Sequence, residues 1–140
     1  GYTVNVPLPG GQGDADYLYV LESVIAPVAE AFEPQLIGVS AGFDTYFDDP
    51  LGAMDVTPAG FAAMAGLLAG LAERLCSGRI FFCLEGGYHI EGQASAVAEV
   101  LKVLSGEGGA GAVDTSARSA ETAAIVDRVV SLQGRYWSSL

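Results

Sequence analysis

Two side chains that could take part in chemistry follow short apolar runs of the sequence. Asp44 comes shortly after the run 35–40, and Tyr88 comes shortly after the run 79–84. Each run has the length and composition of a buried strand, and the glycines that follow it permit a tight turn. Ligands of open α/β sheets bind at the carboxyl ends of the strands. Asp44 and Tyr88 are therefore the first candidates for a functional site.

Each candidate also has a purely structural interpretation. Asp44 and the nearby Asp49 could cap turns by binding their own backbone, which is a frequent use of Asp in such loops. Tyr88 could be a buried aromatic residue whose hydroxyl binds a backbone group. The functional alternatives are a metal ligand at Asp44 and a hydroxyl at Tyr88 that donates to a developing oxyanion. Residue types and spacing leave these alternatives open.

A serine hydrolase is a third alternative. The segment Gly38–Gly42 satisfies the GxSxG pattern, and Ser40, then Asp44 or Asp49, then His89 follow the chain order of an α/β-hydrolase triad. The context argues against it, because a nucleophile elbow needs a helix directly after the serine and the next residues do not have a helical pattern.

His89 is the single histidine, so the chain has no His-rich zinc set, and a metal bound by Asp44 needs ligands from elsewhere.

The elements around these residues alternate between strand and helix. Strands are predicted at 3–8, 35–40 and 79–84. The first predicted helix has Asp14 as its N-cap and a kink at Pro27, and the second starts at the cap Thr57 with Pro58 in its first position. Further helices are predicted at about 90–104 and 119–132. This order predicts an α/β fold with a parallel sheet and flanking helices.

Composition limits the possible partners. The chain has 140 residues, of which 51% are hydrophobic, and this is enough for one domain with a core. A net charge of −11 with only six Lys and Arg argues against nucleic-acid binding. Cys76 and Cys83 are predicted to be buried thiols. No leader and no apolar run of membrane-spanning length is recognised, so we expect a cytoplasmic protein without a membrane partner. The start at Gly1 suggests a piece of something longer.

Five motifs in order give the sequence a specific resemblance. They are Asn5-Val6-Pro7-Leu8, Gly13-Asp14-Ala15-Asp16-Tyr17, Val39-Ser40-Ala41-Gly42-Phe43-Asp44, Asp49-Pro50-Leu51-Gly52 and Leu84-Glu85-Gly86-Gly87-Tyr88. Together they resemble the C-terminal part of the zinc-dependent histone deacetylase superfamily, closest to its bacterial class II-like deacetylase and acetylpolyamine amidohydrolase branch. The resemblance is dense over 1–104 and weaker beyond.

The resemblance implies a role for each matching residue. Asp44 occupies the position of the family's second aspartate zinc ligand, and Tyr88 that of the tyrosine that hydrogen-bonds the substrate carbonyl. Leu51 falls where the family has an apolar wall of the acyl-lysine channel. Gly86 and Gly87 form the turn that presents the tyrosine. On this basis Ser40 is a strand-end residue and His89 has no catalytic role.

The resemblance also implies a fold, an activity and a missing part. It implies part of an arginase/deacetylase-type three-layer domain, with 105–118 a Gly/Ala-rich loop and 119–140 the last helix and aromatic tail of the same domain. The implied enzyme removes acetyl or related acyl groups from lysine or a polyamine. The catalytic histidine pair and the other zinc ligands belong to an N-terminal part absent here, so the chain alone is expected to be inactive. A noncatalytic structural or interaction fragment is the alternative, and a homo-oligomer is left open.

Overall fold

The computed structural model describes residues 1–109 and 111–140. Its elements, in chain order, are α1 (Asp14–Val20), a π-helical turn (Leu21–Ile25), α2 (Ala26–Phe32), β1 (Ile37–Ala41), α3 (Pro58–Cys76), β2 (Ile80–Leu84), α4 (Ile90–Ser105), a 3₁₀ turn (Thr115–Ala117) and α5 (Ala120–Gln133). The strands β1 and β2 pair in parallel, with α3 as the connection. The predicted α/β class, with a parallel sheet and flanking helices, is confirmed. Ala110, inside the predicted loop 105–118, lies outside the described residues.

Side-chain caps start the helices that flank the sheet. Thr57 accepts a hydrogen bond from the Gly60 N–H at 3.2 Å, and Pro58 is the first residue of α3, as predicted. The α4 helix starts in the same way, because His89 Nδ1 accepts from the Gly92 N–H at 2.9 Å. His89 therefore has a structural role at the start of α4.

The prediction that Asp14 is the N-cap of α1 is wrong, because Gly13 occupies that position. The Asp14 carboxylate instead accepts hydrogen bonds from the Thr57 N–H at 2.8 Å and from the Thr57 hydroxyl at 2.6 Å. A carboxylate that binds two donors across the fold joins the first turn of α1 to the start of α3. A Cβ on Gly60 would overlap Asp14 Oδ1, so the contact depends on that glycine.

The first helical region is irregular next to Pro27. Proline has no N–H to donate to the carbonyl four residues earlier, so the hydrogen-bond ladder is interrupted there. The chain responds with the wider turn Leu21–Ile25 and then continues as α2. Glu33 ends α2 in the left-handed conformation, with φ of 54°.

The predicted strand at 3–8 is wrong. The segment has no regular structure, and the described sheet has two strands, β1 and β2. The alternation of Val4, Val6 and Leu8 has another cause, because these side chains pack on a helical core cluster that contains Val24. Alternate burial against helices produces the same sequence pattern as a strand that is covered on one face.

Among residues 1–109 and 111–140, the helices cover one face of the sheet and leave the other exposed. Val39 and Phe82 point towards the helices, whereas Phe81 is 48% exposed and Cys83 is exposed on the opposite face. The expectation of fully buried strands is therefore wrong for this chain. Cys76 is buried as predicted, but the predicted burial of Cys83 is wrong because Cys83 lies on the uncovered face.

The helix α3 corrects the expectation about apolar runs. It is 19 residues long, and its most apolar window has a mean hydropathy of 1.3, so by length and composition alone it could cross a membrane. The core helix of a soluble domain meets the same criteria. Phe61 and Ala65 of α3 belong to the core cluster that also contains Val100 of α4.

The helix α5 is joined to the start of the chain through buried polar groups. Gln12 Oε1 accepts hydrogen bonds from the hydroxyls of Ser119 and Thr122, both at 2.7 Å. The Asp16 carboxylate accepts from the Ser119 N–H at 2.8 Å and from the Gly13 N–H at 3.1 Å. Because these groups are withdrawn from water, each depends on its partners for hydrogen bonding.

We expect Thr122→Val to destabilise the chain by about 1–3 kcal/mol, because the variant keeps the shape of the side chain and removes one of the donors to the buried Gln12 oxygen. Urea unfolding followed by circular dichroism measures the change. Thr3→Val is the matched control, since Thr3 is exposed. Equal stability of the two variants would contradict the expectation.

Candidate functional site

The carboxyl ends of β1 and β2 lie side by side. Ala41 is opposite Leu84 in the strand register, and the pairing continues beyond the strands. The Glu85 N–H donates to the Ala41 carbonyl at 3.0 Å, and the Phe43 N–H donates to the Gly86 carbonyl at 2.8 Å. The two loops that carry the sequence-predicted site residues are therefore fixed to each other by backbone hydrogen bonds.

Asp44 lies directly against Gly86. A Cβ placed on Gly86 would stand 2.5 Å from Asp44 Oδ2, so a larger residue would displace the carboxylate. Gly52 closes the other side, because a Cβ there would overlap the Asp44 carbonyl oxygen. The structure thus brings together Asp44 and Gly86, which the sequence had singled out separately.

The Asp44 carboxylate is half-buried, and within residues 1–109 and 111–140 no group donates a hydrogen bond to it. The turn-capping alternative therefore does not describe Asp44. Its charge affects Tyr17, whose pKa is raised first by burial and then by the negative charge of Asp44. Both residues line a mostly apolar cavity of about 350 Å³ behind the end of β1.

Tyr88 follows a turn that only glycine adopts easily. Gly87 has φ of 131°, and a Cβ there would stand 2.9 Å from the Phe43 Cβ. The structural alternative, a buried aromatic residue, does not describe Tyr88, because the residue is 54% exposed. Within the described part of the chain, its hydroxyl has no hydrogen-bond partner. The hydroxyl is therefore available to an external ligand.

Asp49 is the residue of this region whose importance sequence reasoning underestimated. It is only 8% exposed, and its two carboxylate oxygens accept four backbone hydrogen bonds. Oδ1 binds the N–H groups of Leu51 and Gly52, both at 2.9 Å. Oδ2 binds the N–H groups of Tyr88 at 2.7 Å and His89 at 3.2 Å. The first pair is the turn cap that the Asp-Pro-Leu-Gly sequence predicts, and the second pair spans the site.

The pKa of Asp49 reflects two opposed effects. Burial raises the pKa of the carboxyl, but the backbone hydrogen bonds, led by that of Tyr88, stabilise the charged form and leave the pKa below its ordinary value. Asp16 behaves alike, because burial raises its pKa and hydrogen bonds led by the Ser119 N–H lower it to a greater extent. Both groups are therefore charged in the folded chain near neutral pH.

Leu51 projects from the turn that Asp49 caps, and it is 72% exposed. Asp49 binds the backbone N–H groups of both Leu51 and Tyr88, so the exposed leucine lies in the same region as the tyrosine. The roles of Leu51, Gly86 and Gly87 in a substrate channel remain predictions.

The serine hydrolase triad is not assembled. Ser40 lies within β1, and its hydroxyl donates to Glu85 at 3.1 Å rather than to His89. His89 uses Nδ1 for the Gly92 cap, and its Nε2 is 3.5 Å from Asp48. No helix begins directly after Ser40, since the next one is α3. Ser40 and His89 are therefore not arranged as a nucleophile and its base, and no nucleophile elbow is formed.

A metal site within this chain would be incomplete. In the part of the chain that the structure describes, no three or more His, Cys, Asp or Glu side chains are grouped so that they could hold a metal ion. Asp44 fits the role of a single ligand, because its carboxylate has no donor among the described residues and lies between Gly42 and Gly86. Further ligands would have to come from other residues.

The family model of the histone deacetylase domain matches residues 1–104, and the chain belongs to this family. The expected superfamily is therefore confirmed, while the bacterial branch remains a prediction.

Several relatives match along most of the chain. Histone deacetylase 15 of Arabidopsis thaliana is 40% identical over all of this chain and 25% of its own length. The probable deacetylase of Archaeoglobus fulgidus is 47% identical over 66% of this chain and 26% of its own length. The polyamine deacetylase HDAC10 of Mus musculus is 39% identical over all of this chain and 21% of its own length. The chain thus spans about a quarter of these relatives.

Solved structures agree with the sequence comparison. The crystal structure of the HDA15 HD domain matches with a TM-score of 0.88 and 40% identity, over 99% of this chain and 37% of that one. The structure of the histone deacetylase Clr3 also has a TM-score of 0.88, at 34% identity, over 98% of this chain and 22% of that one. The described residues, including α5, therefore follow the backbone course of these deacetylases over nearly their whole length.

We expect Asp49→Asn to destabilise the chain most near neutral pH. A depressed folded-state pKa adds stability that is present above the unfolded pKa and is lost as the pH falls through the lower folded value. The difference in unfolding free energy between the wild type and Asp49→Asn should therefore shrink from about pH 7 to about pH 3. Urea unfolding at intermediate pH values measures this trend.

The control for this experiment is Asp127→Asn, which changes an exposed aspartate of α5. The effect of Asp127→Asn on the free energy of unfolding should be small at every pH measured. If the difference in unfolding free energy between the wild type and Asp49→Asn stays constant down to acid pH, the lowered pKa of Asp49 is contradicted.

Proposed function

We propose that this chain supplies one zinc ligand and the oxyanion donor of a deacetylase that removes acetyl or related acyl groups from lysine or a polyamine. One observation carries the proposal: Asp44, whose carboxylate has no hydrogen-bond donor in the part of the chain that the structure describes, is fixed beside the glycine turn that precedes Tyr88. Membership of the histone deacetylase family supports the same reaction class. The names of the relatives, which include histone and polyamine deacetylases, support both kinds of acylated amine as substrates.

In this proposal Asp44 holds the metal ion together with residues outside the chain. Carboxylate oxygen is a ligand that Zn²⁺ accepts, and a catalytic zinc site leaves one position open. When bound, such an ion polarises the substrate carbonyl and lowers the pKa of a water molecule. Gly42 and Gly86 keep the space beside the Asp44 carboxylate open, so that its oxygens are not displaced by side chains.

Tyr88 is proposed to act on the substrate. Its exposed hydroxyl donates a hydrogen bond to the carbonyl oxygen and becomes a better partner as negative charge develops there. The backbone that carries it is fixed before substrate arrives, by the Gly86 carbonyl on one side and Asp49 on the other. A donor that is already oriented needs little rearrangement during the reaction. Proton transfer requires a general base from residues outside this chain.

The remaining part of the domain is proposed as a partner of this chain. The uncovered sheet face exposes Phe81, and Leu84 is 64% exposed at the end of β2. This chain matches 37% of the HDA15 HD domain chain, so that structure contains further residues to cover such a surface. We propose that preceding residues pack on this face and complete the channel around Leu51. The three-layer domain that the family resemblance implies remains an expectation, and so does the cytoplasmic location that was expected because no leader is recognised.

A noncatalytic fragment is the second candidate function. It is favoured by the lack of a complete group of metal ligands among the described residues. The sequence that precedes Gly1 in the parent reading frame discriminates between the two candidates. A histidine pair and an Asp-x-His motif there support the enzyme, whereas a start codon directly before Gly1 supports the noncatalytic fragment.

We expect Asp44→Ala to abolish zinc retention in the protein that carries the complete domain, because the variant removes a ligand and leaves the fold of the strand ends in place. Metal analysis of the purified protein, with circular dichroism to check folding, measures the result. Asp127→Ala is the control, since Asp127 is exposed on α5. Full zinc content in folded Asp44→Ala would contradict the ligand role.

Tyr88→Phe should keep the zinc but lower kcat for an acetyl-lysine substrate by about 10²–10³, which is the usual loss when one oxyanion donor is removed. Steady-state kinetics of the complete enzyme measure the loss. Tyr136→Phe is the matched control, because Tyr136 is similarly exposed at 59% and lies in the aromatic tail. Near-normal turnover of Tyr88→Phe would exclude the oxyanion role.

A further inference from the structure

The Asp49 carboxylate connects the two halves of the proposed site. Its Oδ1 atom fixes the backbone of Leu51 and Gly52, in the loop after β1 that also carries Asp44. Its Oδ2 atom fixes the backbone N–H groups of Tyr88 and His89, beyond the end of β2. A single, nearly buried side chain therefore sets the distance between the loop after β1 and the residue proposed to touch substrate.

The turn before Tyr88 needs such a connection. Two successive glycines, Gly86 and Gly87, allow many backbone conformations, and Gly87 has φ of 131°. The Gly86 carbonyl is bound by the Phe43 N–H, but the next fixed backbone group is the Tyr88 N–H, which Asp49 holds at 2.7 Å. Without that bond, the tyrosine backbone follows a flexible turn with no acceptor for its N–H group.

We propose that Asp49 is a positioning residue that holds Tyr88 in the orientation needed for oxyanion stabilisation. The inference rests on the proposed function, because it assumes that the Tyr88 hydroxyl acts on substrate. Asp49 itself does not touch the substrate, since all four of its hydrogen bonds go to backbone N–H groups and it is buried. Its effect on the reaction passes through Tyr88.

The geometry requires a carboxylate at this position. Ionised Asp has acceptor capacity on both oxygens, whereas Asn has one acceptor oxygen and one donor group. In Asp49→Asn, either the Leu51 and Gly52 pair or the Tyr88 and His89 pair therefore faces an NH₂ group. The negative charge is also placed at the first turn of the 16-residue helix α4, where charge of this sign is favourable.

The test is a double-mutant cycle in the protein that carries the complete domain, with Asp49→Asn, Tyr88→Phe and the double variant assayed on an acetyl-lysine substrate. We expect Asp49→Asn alone to lower kcat by about 10-fold to 10²-fold with KM changed little, because a small misplacement of a reacting group is enough for such a loss. Zinc content should be unchanged. In the Tyr88→Phe background, Asp49→Asn should lower kcat less than about twofold, because the hydroxyl that it positions is gone.

Asp16→Asn is the matched control. Asp16 is also nearly buried, and its carboxylate also accepts backbone N–H bonds, from Gly13 and Ser119. It lies at the contact with α5, and so its effect on kcat should be small and independent of Tyr88→Phe. If Asp49→Asn does not fold, Asp49→Glu, which keeps the charge and shifts it by one methylene group, enters the same cycle with the same expectation.

The outcomes separate the two proposals. Full activity of Tyr88→Phe overturns the proposed function. A large loss in Tyr88→Phe, together with an equal loss from Asp49→Asn in both backgrounds, leaves the proposed function intact and overturns the positioning role. A loss of zinc in Asp49→Asn also overturns the positioning role, since the loss of kcat would then arise from the metal site and not from Tyr88.

Discussion

The parallel pairing of β1 and β2 is the constraint on which the rest of the site depends. Because the strands run in the same direction, their carboxyl ends arrive at one edge, and the chain must leave both strands there. The pairing continues for two more hydrogen bonds, to Glu85 and Phe43, so that the loops begin in register. The polar residues that follow each strand therefore become neighbours although about forty positions separate them in the sequence.

Local sequence signals predicted the elements whose cause is local. Thr57 and Pro58 identify the start of α3 because a hydroxyl acceptor and a residue without an N–H meet the needs of a first turn within four positions. The glycines before Tyr88 likewise indicate a turn whatever surrounds it. These features depend on the covalent structure of a few neighbouring residues, and they depend little on tertiary contacts.

The predictions from sequence that were wrong concern residues whose structure depends on long-range contacts. The alternation of Val4 and Val6 is real, but its partners are helices and not strands. Asp is a residue type that commonly caps helices, but the Asp14 carboxylate binds Thr57, 43 residues away. The bond from Asp49 to Tyr88 spans 39 residues, and no local pattern indicates it. About half of the candidate site, the pair Asp44 and Tyr88, could thus be found from motifs, whereas what holds the pair together could not.

The polar contacts between α5 and the first loop have a consequence for where this domain can be shortened. The family match stops at residue 104, which suggests a boundary there. A chain shortened at that residue would lose the hydroxyl donors to Gln12 and the amide donor to Asp16, and it would uncover Val24, which is fully buried beside Val126. The Asp16 carboxylate would keep the Gly13 N–H as its donor but lose that of Ser119, and the apolar side chains of Val20 and Val24 would face water. A boundary drawn at the end of the family match would in this way remove part of a shared core, because α5 covers the first helical region although it lies outside the matched residues.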